Sequence, residues 1–135
     1  MIRKLTHPIS AGIFAAFVTF IYGMTYEKAM AIEELEMESL REAIPYLHLL
    51  LTPILACLIA SFGYYLLQNI GTKWGSFLFY FLFASVSIAT SFGVFMINNL
   101  YGDLEFTING YAMPMHYFPF LSWVAFKPLF FPEPK

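Results

Sequence analysis

The chain has 135 residues, 59% hydrophobic, 20% aromatic and 12% charged, with a net charge of -2. That charged share is about half that of an ordinary soluble domain, and so small a domain has too little interior to hide the remaining apolar surface from water. The natural solvent for these side chains is lipid. An acidic balance argues against a nucleic-acid partner, and the lone Cys57 excludes an internal disulfide or a cysteine-built zinc site.

Charged residues bound four apolar windows, at 5–26, 43–72, 74–102 and 106–126. A spanning helix needs roughly 20 mostly apolar residues to cross about 30 Å of hydrocarbon. The expected fold is therefore an all-α integral membrane protein forming a single membrane domain. Spans are expected at about 8–26, 45–69 and 73–98, with a Pro-interrupted fourth segment at 112–131, in an antiparallel bundle.

The first span begins behind Arg3 and Lys4, which suit an interfacial anchor. The following "YGMTYEKAM" offers bulky residues instead of a small-x-small cleavage site, so the span reads as retained. Gly12, Ala16, Thr19 and Gly23 form a stripe of small and hydroxyl residues, and His7 reads as interfacial. The next stretch, 27–43, "EKAMAIEELEMESLREA", lacks Gly and Pro and consists largely of good helix formers. It is expected to carry the first helix on, unbroken, into water as a long acidic extension. A helix over 9–43 would measure about 50 Å at 1.5 Å per residue. Glu33 and Glu36 interrupt its apolar face, so it reads as a solvated helix. Glu34, Glu38 and Glu42 are its candidate residues for docking a partner.

In the second span Pro45 suits a first helical turn, where its missing N–H costs nothing, and Pro53 predicts a kink. Thr52, Ala56, Ile59 and Gly63 make its small-residue stripe. His48 continues that stripe and is expected to face the bundle. Gly71 leaves only a tight turn before the third span, which predicts an antiparallel hairpin. The third stripe is Ala84, Ser87, Ser91 and Val94. Lipid tails are as apolar as Leu, so close approach through small residues must drive helix association, and these stripes read as packing seams. The interiors of the three spans carry no charge, which counts against a proton-coupled transporter or an ion pump.

Beyond the third span, "LEFTI" alternates and is followed by Asn109-Gly110, a favoured two-residue turn, so a small β-hairpin is expected. The chain closes on "YAMPMHYFPFLSWVAFKPLFFPEPK". Residues 112–131 are just long enough to span as an irregular helix, kinked at Pro119 and loosened at Pro128, with Lys127 reaching back to the interface. The competing reading is a re-entrant or surface-lying segment. Such backbone is tolerated at membrane depth only where protein covers it.

Chemistry-bearing residues are few. Met113, Met115 and His116 are soft donors suited to copper, and His48 with His116 at one depth would suit the two axial positions of a haem. The plainer reading is a pair of histidines bonded to backbone carbonyls and methionines set against aromatic rings. No Glu-x-x-His pair, phosphate loop, nucleophile elbow or zinc-peptidase motif is present. The expectation is a small non-catalytic accessory subunit of a larger, energy-converting membrane complex, without a cofactor. Its partners would be the bilayer and other membrane-protein subunits. The rival is a redox protein holding haem or copper at His48, His116, Met113 and Met115. Counting Lys and Arg places five (Arg3, Lys4, Lys73, Lys127, Lys135) on one side and two (Lys28, Arg41) on the other. The amino terminus is therefore expected on the cytoplasmic, matrix or stromal side.

Overall fold

The computed structural model describes residues 2–30, 38, 40–42, 44–101 and 105–130. All of its regular structure is helical: α1 (Ile2–Ala29), α2 (Tyr46–Gln68), α3 (Thr72–Tyr101), α4 (Glu105–Met115) and α5 (Phe118–Phe130). Among the described residues, three stretches are long and apolar enough to cross a membrane: Thr6–Ala29, Leu40–Gln68 and Lys73–Val94, with mean hydropathies of 1.5, 2.0 and 1.8. The expected lengths for these three follow from their charge-free windows.

α1 is the central helix, packed on α2 along one side and on α5 along another. Its stripe does form the seam: Gly12, Ala16, Thr19 and Gly23 are all buried, with Ala11 and Ala15 beside them. At Gly12 a Cβ would stand 2.9 Å from the Cα of Ile54, so the α1 and α2 backbones meet there as only glycine permits. α3 packs on α2 and α4 and buries Ser87, Ser91 and Val94, as its stripe predicts.

On α2 the stripe is displaced. The buried residues are Leu49, Pro53, Cys57 and Ser61, a strict spacing of four, whereas Thr52 and Ile59 are exposed and Gly63 has nothing within 4 Å of its Cβ position. A proline leaves the carbonyl four residues back without its helical donor, and here Pro53 is buried in a helix that runs unbroken from Tyr46 to Gln68. Pro45 stands just before α2, with φ -60° and ψ 145°. The α2–α3 turn rests on Gly71 at φ 126°, a region closed to most side chains. Beyond it Gly75 lies against the Leu67 carbonyl, and the Gln68 amide donates to Ser76 Oγ at 2.9 Å.

Two further expectations are corrected. The predicted hairpin is helix α4, whose buried Ile108, Tyr111, Ala112 and Met115 recur at helical spacing. A short alternation carries less weight than burial of one helical face. The fourth segment is not one kinked helix but two, α4 and α5, separated at His116 and Tyr117. Pro119 does not bend a helix from within. It lies in the first turn of α5, where its missing N–H is harmless.

α1 ends at Ala29 with Met30 in a turn. Residues 31–37, 39 and 43, which include Glu33, Glu34 and Glu36 of the acidic stretch, lie outside the described residues.

The interior consists of two clusters. One gathers Leu40, Leu49, Val94, Ile108, Tyr111 and Met115. The other gathers Ala11, Cys57, Phe79 and Trp123, near the Gly71 end of the bundle. His7, expected at an interface, belongs with the second: it is 2% exposed and edge-on to Trp123 at 4.5 Å. Its Nε2 lies 3.3 Å from the Trp123 carbonyl, which can only accept, so Nε2 carries the proton.

Candidate functional site

Two arrangements stand out, a cavity in the apolar body and a polar cluster at one end of it. The cavity has a volume of about 400 Å³ and is walled mainly by apolar side chains, among them Leu49, Phe83, Val86, Ile108 and Met115. α2 and α3 hold together near the Gly71 turn; farther from it, Thr52 and Ala56 of α2 and Val86 and Thr90 of α3 border the cavity. The displaced α2 stripe thus has a place. Residues 48, 52 and 56 turn toward a space instead of a neighbouring helix.

His48 is exposed and His116 half-buried, and both line this cavity, as does the buried Met115. The break between α4 and α5 puts His116 there. The His116 N–H closes onto the Met113 carbonyl (3.2 Å) and that of Tyr117 onto Pro114 (3.1 Å), which ends α4 and turns the chain. Met113, expected beside His116, instead packs half-buried against the Tyr111 cluster. The structure therefore brings together His48, His116 and Met115 and leaves Met113 apart. Among the described residues, no three His, Cys, Asp or Glu side chains converge.

The cavity's polar groups divide in two. Thr19 donates its hydroxyl proton to the Ala15 carbonyl (2.8 Å), and Thr90 has the Val86 carbonyl at 2.9 Å and that of Ser87 at 3.1 Å. Both hydroxyls are committed to their own helices. The imidazoles of His48 and His116 and the hydroxyl of Thr52 have no hydrogen-bond partner among the described residues. Among the described residues, no Lys, Arg, Asp or Glu lines the space.

The polar cluster centres on Glu27, at the end of α1, and Arg41, which form an ion pair with side chains only 10% and 17% exposed. Glu27 Oε1 accepts from the Tyr111 hydroxyl (2.9 Å) and Oε2 from that of Tyr46 (3.1 Å). Arg41 Nη1 donates to Tyr111 (2.9 Å), and the guanidinium lies 3.6 Å from the centre of the Tyr46 ring. Burial pushes the Tyr111 phenol above its ordinary range, while the Arg41 hydrogen bond and charge pull it back. Glycines admit the aromatic rings. A Cβ at Gly23 would stand 2.7 Å from the Tyr111 hydroxyl, and one at Gly110 would meet Tyr26. Tyr22 closes the cluster by donating to the Gly110 carbonyl at 2.6 Å.

Sequence reasoning missed this cluster. Its signal was a lone Arg41 within an acidic stretch beside an otherwise apolar chain, where one carboxylate must be its partner. Of the residues expected to dock a partner, Glu38 and Glu42 are exposed and helical, and Glu34 lies outside the described residues. Comparison of the chain with family models, with curated proteins and with solved structures gives no match.

Proposed function

We propose that this chain is a small, non-catalytic accessory subunit of a larger membrane complex. In this reading α1, α2 and α3 cross the bilayer as an antiparallel bundle. The amino terminus and Lys73 lie on the cytoplasmic, matrix or stromal side, with Glu38 and Glu42 on the other. The observation that carries it is the pair Gly63 and Gly93, on α2 and α3. Beyond the backbone of its own helix, neither has an atom of the described residues within 4 Å of the place a Cβ would occupy. A helix-interior glycine costs roughly 0.5–1 kcal/mol relative to alanine, and nothing in the packing of the described residues asks for it at these two positions. A neighbouring membrane helix would, because close approach through small residues is how helices associate in lipid. Large apolar side chains around them, such as Ile59 (72% exposed) and Met96 (77%), suit a lateral neighbour or lipid.

The test is affinity recovery of the tagged chain in a mild detergent. Stoichiometric membrane-protein partners are expected, with recovery reduced by Gly63→Leu or Gly93→Leu while the chain's own thermal stability is unchanged. A chain that is recovered alone, identically in wild type and variants, would defeat the reading. The redox alternative draws on the meeting of His48, His116 and Met115 at one cavity. A visible absorption spectrum and metal analysis decide it: stoichiometric haem or copper, lost in His48→Ala or His116→Ala, would replace the first reading.

A further inference from the structure

The cavity holds more information than a metal or haem question uses. Its volume of about 400 Å³ falls within the roughly 300–1,000 Å³ of small-molecule sites, which are typically apolar with a few convergent polar groups. Here those groups are His48 and Thr52, one helical turn apart on α2, and His116, from the α4–α5 break. They come from two parts of the chain, and none is bonded to a described residue. His116 is half-buried and His48 and Thr52 are exposed; in a bilayer, where water does not reach them, two imidazoles and a hydroxyl beside an apolar cavity call for an oxygen-bearing occupant. An acyl chain alone would satisfy none of them. A phosphate or carboxylate head would meet no Lys or Arg among the described residues that line the space. Phe83 adds an aromatic face to the wall.

We propose that this cavity binds a neutral, apolar ring carrying carbonyl oxygens, of the quinone class, with oxygens hydrogen-bonded by His48 and His116. Thr52, exposed on α2, marks its mouth, through which the ligand enters from the lipid phase. The proposal rests on the membrane reading above; its measurement in detergent does not depend on the subunit role.

The chain carries a built-in reporter. Of its two tryptophans, Trp74 is exposed and Trp123 is buried, with its ring 6.2 Å from that of the cavity residue Phe83. In a Trp74→Phe background, a decyl-substituted benzoquinone is titrated against the purified protein at several detergent concentrations. Saturable quenching of Trp123 at one quinone per chain is expected. His48→Ala and His116→Ala should each weaken it roughly two- to tenfold, the loss of one hydrogen bond. Ala56→Phe should fill the space and abolish it, with Thr52→Phe, at the exposed mouth, as the second plug should the first variant not fold. Gly63→Phe, pointing into open surroundings, should leave it intact. Quenching that scales only with the quinone-to-detergent ratio, equal in every variant, would overturn the proposal. So would saturable quenching by a brominated phospholipid that excess quinone cannot displace. Binding with no co-purified partner would uphold this site while the subunit reading fell.

Discussion

Arg41 and Glu27 show how a low-charge chain places charge. Both are largely withdrawn from water, so either one left alone would be an uncompensated buried charge. Breaking a buried pair by removing one partner typically costs about 3–5 kcal/mol. Arg41→Ala should therefore destabilise by about 3 kcal/mol, the lower end, because some solvent contact persists. Glu27→Gln should be milder, since an amide still meets Tyr46 and Tyr111. Thermal or denaturant unfolding in detergent would rank the two, and equal stability of Arg41→Ala and wild type would refute the role of the pair. Tyr111 adds a pH dependence whose sign follows from its burial. Its phenol is raised above the unfolded value of 10.0, so the neutral form is the one folding favours. That contribution is complete below the unfolded pKa and is lost as pH rises through the folded one. Stability should fall above about pH 10, and less steeply in Tyr111→Phe.

Among the helices, the contrast between Gly12 and Gly63 tests the corrected packing face. A side chain at Gly12 meets the Ile54 backbone, which cannot swing aside, whereas one at Gly63 meets nothing. Gly12→Leu should cost at least the ~1–3 kcal/mol of overpacking and part α1 from α2. Gly63→Leu should leave the isolated chain as stable as wild type. Melting temperatures in detergent would distinguish them, and similar losses at both would put the α2 face in error. α4 admits a sharper test. Helix propensity alone would make Gly110→Ala favourable by about 1 kcal/mol. The new methyl would instead collide with Tyr26, so the change should destabilise, with relief when Tyr26→Ala is added in a double-mutant cycle. A β-hairpin at these residues would show no such coupling.

For the whole molecule the prediction is topological. Single cysteines at Glu38 and at Trp74, both exposed, in a Cys57→Ala background should react with an impermeant thiol reagent from opposite faces of intact membrane vesicles. Labelling of both from the same face would rule out the proposed arrangement. The same placement leaves the mouth of the cavity, between α2 and α3, facing lipid.

What the sequence determined by itself was the apolar character and the count of the long helices. Charge-free windows of sufficient length set their extent, and the small-residue stripes of α1 and α3 needed only helical geometry to become seams. Tertiary structure decided the rest, because those outcomes turn on relations between distant residues. The buried face of α2 lies one position from the expected stripe, on Leu49, Pro53, Cys57 and Ser61. His7 found the Trp123 carbonyl 116 positions away. Leu104 to Ile108 and the Asn-Gly pair looked like a hairpin, yet burial against Tyr26, Arg41 and Val94 favoured a helix over 105–115. The meeting of His48 with His116 is of the same kind. Sequence supplied both imidazoles, but only the break between α4 and α5 and the border of α2 and α3 put them on one cavity.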